Sequence, residues 1–403
     1  MFQEYGSKNF AGCLQNRGES VQIDFHYYAT YCAAYLAGYS HEESMEICTS
    51  AQFVDLCSLT LLKTLEAPLS AATTQLTMEM ADARADLLGL QDITRIWASF
   101  HFLPYDLYAE KKNCSRIYRN KYRLICRPNG VLVEDTVLLA KGKSLQAVGL
   151  AMHVLADTWA HSNFAGTPSL VINNTNDYFY EHLPDGTKRK IDFRHNPTAP
   201  DDLEKGQFVN SLFQPEETAI MNLGHGRAGH LPDYSFMKYE YLPAWGDYEE
   251  IVKDNPSDYL HAFCQMIEAM KFLRGSRESF AVQRYDWEAI APYRDEIMEI
   301  IQKRQLDASA QWKAFGEKLS GCEIGEYDIS RYKQEYSQAE KEAKDDTFLG
   351  KFFLASLRQK SMVTGRIFRS GNLLAGFSVD YREKGFRGIR DFKKIVDQMR
   401  EEK

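Results

Sequence analysis

The most constraining feature of the chain is residues 148–166, where two histidines and an aspartate recur at every fourth position. His153, Asp157 and His161 lie in a stretch whose composition is typical of a helix. Each four-residue step advances about 40° around a helix axis, so the three side chains share one face within about 80°. Their neighbours are mostly apolar, which indicates burial. A buried carboxylate between two imidazoles is costly unless a positive charge lies among them. We therefore predict a helix from about 144 to 164 that holds a divalent metal, with zinc as the first candidate.

Composition places the chain among ordinary globular proteins. Its 403 residues, 44% hydrophobic and 26% charged, suffice for one large domain or two ordinary ones. The net charge of −8 argues against general nucleic-acid affinity, so no stable nucleic-acid partner is expected. Lysine and arginine become frequent from about residue 358 onward. This basic region could meet an acidic partner, but a solvated helical face is the favoured interpretation. The sequence indicates no oligomeric state.

Three absences in the sequence predict a cytoplasmic protein without disulfides. No apolar run approaches the roughly 18 residues of a membrane span. The first residues lack the charged-then-apolar pattern of a secretory signal. The eight cysteines are scattered and form no Cys-x-x-Cys pair.

Helical patterns dominate the rest of the chain. Residues 24–39 read as a buried helix stopped by Gly38, and Ser40 opens a Ser-x-x-Glu capping box for a second helix that runs to about Cys57. The predicted fold class is therefore mostly α.

Two segments predict exceptions to the helical pattern. Residues 114–140, with Pro128-Asn129-Gly130 between apolar runs, suggest a small β hairpin. Residues 166–215 are rich in Pro, Asn, Asp and Gly and suggest a long loop. We predict a metal-binding helical domain over 1–275 and a helical C-terminal region over 285–403 that could pack on the first.

Further candidate metal ligands occur outside the 148–166 helix, in apolar or glycine-rich contexts. They are Asp24 and His26 in Asp-Phe-His-Tyr-Tyr, Asp55 in Gln-Phe-Val-Asp, His101 in His-Phe-Leu-Pro, and His225 and His230 in Gly-His-Gly-Arg-Ala-Gly-His-Leu-Pro-Asp. Each has a plainer interpretation. A single buried histidine is more often a core residue than a ligand, a carboxylate near a helix end is often only polar, and the glycine-rich segment could be a simple turn.

The His-x-x-x-Asp-x-x-x-His-Ser-Asn stretch beginning at His153 resembles a helix of Het-C-type proteins. More broadly, it resembles the zinc-dependent phospholipase C and single-strand nuclease superfamily. The whole motif series, over roughly residues 20–270, is similar to an uncharacterised bacterial family known only as a domain of unknown function.

The superfamily resemblance implies a phospholipase C-like helical bundle with up to three zinc ions. One ion would be held by Asp55, His101, His153 and Asp157. A second would be held by His161 with His225 or His230. A third would be held by Asp157, bridging to His26, with Asp24 as a further candidate. Two departures leave the number between one and three: an extension precedes His26, and no His-x-x-x-Glu helix supplies the second ion.

The chemistry implied is hydrolysis of a phosphate ester by metal-activated water, with a phosphodiester in a phospholipid or nucleotide as the favoured substrate. Asp55 and Asp157 are the candidate catalytic carboxylates, with Asp55 favoured as a ligand over a base. Arg227 is the candidate phosphate contact, although a surface ion pair is an equal alternative.

Three other functions are compatible with a helical chain of this size. An HD-type phosphohydrolase needs a His-Asp dipeptide, and no histidine here precedes an aspartate. A P-loop is excluded because Val137 stands where its first glycine is required. The serious alternative is a non-catalytic, metal-stabilised binding or toxin-like effector protein, whose site would be closed by protein ligands.

Overall fold

Helices form most of the computed structural model, which describes residues 22–83, 87–194, 200–210 and 223–376. This confirms the mostly α prediction. A π-helical segment, Asp24–Ala29, continues directly into α1 (Thr30–Leu36). The helices before the sheet are α2 (His41–Phe53), α3 (Leu59–Thr64), α4 (Thr77–Ala83), α5 (Leu87–Phe100), α6 (Arg116–Tyr122), α7 (Val131–Ala140), α8 (Leu145–Ala160) and α9 (Leu170–Asn173). Those after it are α10 (Asn255–Arg274), α11 (Trp287–Ile290), α12 (Arg294–Gln302), α13 (Ser309–Ser320), α14 (Ser330–Gln338) and α15 (Phe348–Arg369).

Helix α8 is the central element and carries the predicted metal-binding face. Every residue from Gln146 to Ala160 is buried, and the helix packs against α2 and α10. Gly149 permits the close approach to α2, because a Cβ there would lie 2.2 Å from the carbonyl oxygen of Ile47. The backbone of α8 and that of α2, which leads into the turn with Asp55, are thus held at a fixed separation.

The start of α2 is as the sequence predicts. The Ser40 hydroxyl accepts a hydrogen bond from the Glu43 N–H (3.2 Å), and the Glu43 carboxylate accepts one from the Ser40 N–H (2.8 Å). The preceding helix ends at a left-handed Gly38 (φ 96°). Helix α2 ends at Phe53, so Asp55 lies in the turn that follows.

The predicted hairpin over 114–140 is wrong. Ser115 caps α6 by accepting from the Tyr118 N–H, and α7 buries side chains at helical spacing, including Val133, Val137 and Ala140. The turn at 128–130 is real, with Asn129 at a φ of 65°, but it leads into a helix. An apolar run of this length is compatible with either element, and packing against α8 decides for the helix here.

The predicted loop over 166–215 is also wrong in part, because it contains α9 and four strands: β1 (Thr175–His182), β2 (Lys188–Lys190), β3 (Asp192–Arg194) and β4 (Gln207–Val209). With β5 (Lys238–Pro243) and β6 (Ile251–Asp254), β1 and β2 form an antiparallel sheet in the order β2-β1-β5-β6, and Phe179 pairs with Tyr241. Strands β3 and β4 form a separate parallel pair. Residues 195–199 and 211–215 lie outside the described residues.

The apolar core is continuous across the predicted domain boundary. One cluster of buried side chains extends from Phe25 to Ala375, and α15 packs on α5 and α8. A second, smaller cluster lies between the sheet and residues 102–164. Within the described residues, no helix is both long and apolar enough to cross a membrane.

Candidate metal centre

Candidate ligands converge on the buried face of α8 and fall into two groups. We call the first the inner cluster; it consists of His26, Asp55, His101, His153 and Asp157. The outer cluster consists of His161, His225 and Asp233. The inner cluster offers two overlapping triads, and the outer cluster one, in each of which the ligand atoms lie within 4.8 Å of one another.

Asp157 is the centre of the inner cluster. Its Oδ2 lies 3.0 Å from Nδ1 of His101 and 3.2 Å from Nε2 of His153, while its Oδ1 lies 3.1 Å from Nε2 of His26. The carboxylate is 1% exposed. Each of its oxygens therefore faces a different side of the cluster, which is the arrangement of a bridging ligand.

Asp55 forms the more open edge of the inner cluster. Its Oδ1 lies 3.8 Å from both His101 Nδ1 and His153 Nε2, and its side chain is 25% exposed. The turn after α2 places it there, and Gln52 donates to its Oδ2 at 3.3 Å.

The outer cluster converges on one oxygen of Asp233. Nε2 of His161 lies 3.5 Å from Asp233 Oδ1, and Nε2 of His225 lies 3.8 Å from the same atom. The two clusters adjoin, because Nδ1 of His161 is only 3.6 Å from Asp157 Oδ2. Gln22 also donates a hydrogen bond to Asp233 Oδ1.

Backbone carbonyls fix which nitrogen of three histidines faces the carboxylates. His161 Nδ1 lies 2.7 Å from the carbonyl of His101, His225 Nδ1 lies 2.8 Å from that of Gly229, and His101 Nε2 lies 3.0 Å from that of Thr73. A carbonyl only accepts, so each of these nitrogens carries a hydrogen. The opposite nitrogen of each neutral ring then directs a lone pair at a carboxylate oxygen. Two acceptors face each other stably only with a proton or a metal ion between them, and such carbonyl-oriented histidines are typical of metal sites.

The pKa values of the cluster residues follow from the same contacts between imidazoles and carboxylates. Burial raises the pKa of Asp157, but the surrounding histidines outweigh burial and hold it well below its usual range. Burial lowers the pKa of His161, yet Asp157 and Asp233 together raise it to about 9. Burial lowers the pKa of His225 to about 4, so this ring is neutral and able to ligate at pH 7.

Several buried polar atoms of the clusters have no hydrogen-bond partner among the described residues. They are both ring nitrogens of His26, Nδ1 of His153, Oδ1 of Asp157 and Oδ2 of Asp233. The His26–Asp157 pair is close but poorly directed for a hydrogen bond. Buried polar atoms without partners are rare in proteins, and a metal ion would satisfy this set. The residues present therefore fit a metal centre.

Three predicted residues are not brought into either cluster. Asp24 accepts from the N–H groups of Phe25 (2.8 Å) and Ala308 (3.3 Å), and burial raises its pKa to about 6. His230 points to Asp201 instead (3.5 Å), with its side chain 44% exposed. Arg227 is half-buried in the turn between His225 and His230, and its role in substrate binding stays a prediction.

Asp233 is the one residue of the two clusters that was not among the predicted ligands. The sequence does contain an indication of its role. Asp233 ends the series Gly-His-Gly-Arg-Ala-Gly-His-Leu-Pro-Asp, in which Pro232 favours a short 3₁₀ turn over Leu231–Asp233. That turn directs the Asp233 carboxylate toward His161.

Comparison with protein families adds one assignment. The model of DUF6765, a family of unknown function, matches residues 21–367. The chain belongs to this family. The match confirms the expectation of an uncharacterised family, and the finer resemblance to Het-C-type proteins and phospholipase C stays a prediction. No curated protein and no solved structure matches the chain.

Proposed function

We propose that the chain is a zinc-dependent hydrolase of phosphate esters, with a phosphodiester in a phospholipid or nucleotide as the favoured substrate. The observation that carries the proposal is the pair of adjoining clusters around α8, in which ring nitrogens of four histidines lie 3.0–3.8 Å from shared carboxylate oxygens. Ligand sets that adjoin in this way are typical of two-metal hydrolytic sites, whereas a single structural zinc needs only four ligands.

The donor set supports zinc over harder cations. Five imidazoles and three carboxylates make up the two clusters. Magnesium and calcium prefer sites built from oxygen atoms, while imidazole suits zinc and other transition metals. When bound, such ions supply hydroxide at neutral pH and neutralise charge on phosphoryl oxygens.

The chain's own residues have separable tasks in this proposal. Hydrolysis forms a bond from water oxygen to phosphorus, breaks the bond from phosphorus to the ester oxygen, and moves a proton from the water to that leaving oxygen. Asp157 is the bridging ligand, because its Oδ1 faces His26 while its Oδ2 faces His101 and His153. Asp55 is a ligand at the edge that solvent and substrate reach, and its 25% exposed carboxylate is the group with access to the transferred proton.

The alternative is a metal-stabilised protein without catalysis, and burial is the observation in its favour. His26, His153 and Asp157 are each at most 1% exposed. Closed sites of this kind are typical of structural zinc. The exposure of Asp55 and of His225, whose side chain is 20% exposed, favours the hydrolase.

Metal content and hydrolysis, measured together, test the proposal. We expect the purified protein to hold two or more zinc equivalents by mass spectrometry, to lose them in the His153→Ala, Asp157→Ala double variant, and to hydrolyse bis(p-nitrophenyl) phosphate. His41→Ala is the matched control, because His41 bonds to Tyr31 instead of the clusters (2.7 Å). One tightly held equivalent without hydrolysis would establish the structural alternative. A metal-free wild-type protein, with the double variant still folded, would overturn both.

A further inference from the structure

Gln22, the first residue that the structure describes, is connected to both clusters. Its side-chain amide donates a hydrogen bond from Nε2 to Oδ1 of Asp233, 211 residues further along the chain. Its backbone carbonyl accepts hydrogen bonds from the N–H groups of Phe25 (3.1 Å) and His26 (2.9 Å). One residue is therefore bonded by its side chain to the carboxylate of the outer cluster and by its backbone to a histidine of the inner cluster.

The amide of Gln22 binds the very oxygen that two histidines of the outer cluster face. Oδ1 of Asp233 lies 3.5 Å from His161 Nε2 and 3.8 Å from His225 Nε2, and the Gln22 nitrogen lies closer to it than either. Oδ2 of Asp233 is buried and has no hydrogen-bond partner within the described ranges. The torsion of an aspartate carboxylate is only loosely fixed by the side chain itself, so a hydrogen bond has to select the oxygen presented to the imidazoles. An oxygen with two lone pairs accepts from Gln22 with one and keeps the other for a metal ion.

Gln22 also borders on the inner cluster. It lines one small cavity together with Phe25, His26 and Asp157. Loss of its side chain would therefore be felt next to both clusters, but only Asp233 receives a hydrogen bond from the amide.

The backbone of Gln22 has a conformation that glutamine rarely adopts. Its φ is 65°, in the left-handed region that favours glycine. Residues held in such conformations cluster at functional sites, where surrounding contacts compensate for the strain. Glycine would adopt this backbone without strain but would have no amide to reach Asp233. Substitution can therefore separate the part played by the backbone from that played by the side chain.

We propose that Gln22 is a positioning residue whose amide holds the Asp233 carboxylate in the orientation that binds metal in the outer cluster. The inference rests on the metal centre of the proposed function. Gln22 touches neither the metal nor the substrate in this role. Removing a partner of this kind from a metal ligand typically lowers metal affinity about 10–100-fold.

Two substitutions test the inference. Gln22→Met keeps a side chain of similar length on the same left-handed backbone and removes only the amide, whereas Gln22→Gly removes the side chain and relieves the backbone. We expect both variants to bind the outer zinc about 10–100-fold more weakly, measured by competition with a chromophoric chelator, and the inner zinc as the wild type does. Hydrolysis of bis(p-nitrophenyl) phosphate should fall at limiting zinc and recover at saturating zinc, because every ligand is still present. A purely structural role would not give this recovery.

Glu66→Gly is the matched control. Glu66 is likewise a non-glycine residue with a left-handed φ (51°), and it is exposed in the turn after α3. The same relief of backbone strain there should leave the affinity of both clusters for zinc unchanged.

The outcomes separate this inference from the proposed function. Wild-type affinity of the outer cluster in either variant of Gln22 would overturn the inference. Equal weakening of both clusters would overturn it too, since Gln22 would then support the fold in general. A wild-type protein that binds zinc, with the expected loss in both variants, but hydrolyses no phosphate ester would overturn the function and leave the role of Gln22 intact. A wild-type protein that binds no zinc would overturn both.

Discussion

The two clusters differ in how the backbone holds them. The inner cluster is carried by helical segments or by the turns directly after them. These residues are His26 in the π-helical segment, His153 and Asp157 on α8, Asp55 after α2, and His101 after α5. The outer cluster depends on irregular backbone, with His161 at the C-cap of α8 and His225 in a glycine-rich turn.

The glycines of that turn show how tightly even the irregular backbone is packed. Gly224 and Gly229 have φ angles of 57° and 56°, and a Cβ on Gly224 would lie 2.1 Å from the ring of Phe102. Despite this packing, the turn lacks the continuous series of backbone hydrogen bonds that holds a ligand rigidly on a helix. We therefore expect the inner cluster to bind metal more tightly and the outer cluster to exchange its metal more readily.

Asp157→Asn should have the largest effect, because it breaks the link between the clusters. The amide keeps the shape but loses the charge that three histidines of the inner cluster and His161 face. We expect loss of the inner metal and weaker binding of the outer one, beyond the roughly 10–100-fold that outer-shell changes cause. Metal analysis after dialysis checks this. Retention of every equivalent would show that Asp157 is not a ligand.

Asp233→Asn should remove metal from the outer cluster alone. Asp233 is the shared partner of His161 and His225, so the outer metal should be lost while the inner metal stays. Zinc stoichiometry should fall by one equivalent, and exchange with ⁶⁵Zn should leave only the slow population. A simultaneous loss of both metals would mean that the two clusters form one cooperative unit. Asp201→Asn is the control, because Asp201 faces His230 outside the clusters.

The zinc-free protein should lose stability as pH rises from about 6.5 to 9. The raised pKa of His161, about 9, means that its proton stabilises the fold fully below pH 6.5 and is lost as pH passes the folded value. The change is at most about 3 kcal/mol. Urea unfolding in chelator at several pH values measures it, with His161→Gln as the variant in which this slope should become smaller. It should not vanish, because the pKa values of His26 and His230 are also raised. Zinc should reduce the slope as well, since it displaces the same proton.

Gly149→Ala should weaken the inner cluster selectively and mildly. The added methyl would press on the carbonyl of Ile47 and move α2, which precedes Asp55, away from α8. Overpacking of this kind costs about 1–3 kcal/mol. Competition with a chromophoric chelator should show weaker inner binding and unchanged outer binding. Gly142→Ala is the control for a glycine without close neighbours, although its φ of 68° adds a small backbone strain.

The features that the sequence could predict are those set by residues close together in the chain. The face of α8 follows from a four-residue spacing, and the start of α2 follows from Ser40 and Glu43, so both were recognisable. The strands in 166–215 were missed because β1 pairs with β5, about sixty residues away, and nothing near β1 indicates this partner. His225 and His230 could not be distinguished for the same reason, since the choice depends on the positions of Asp233 and Asp201.

The π-helical segment Asp24–Ala29 makes the number of residues before α1 decide where the His26 side chain points. The N–H of Thr30 donates to the carbonyl of Phe25, five residues back, so Asp24–Ala29 holds one residue more than an α-helical path would. Deleting one residue here would restore the α-helical path and rotate the preceding residues by about 100°. His26 would then turn away from Asp157 although no ligand had been replaced. Spacing along the chain is thus as much a part of this centre as the histidines themselves.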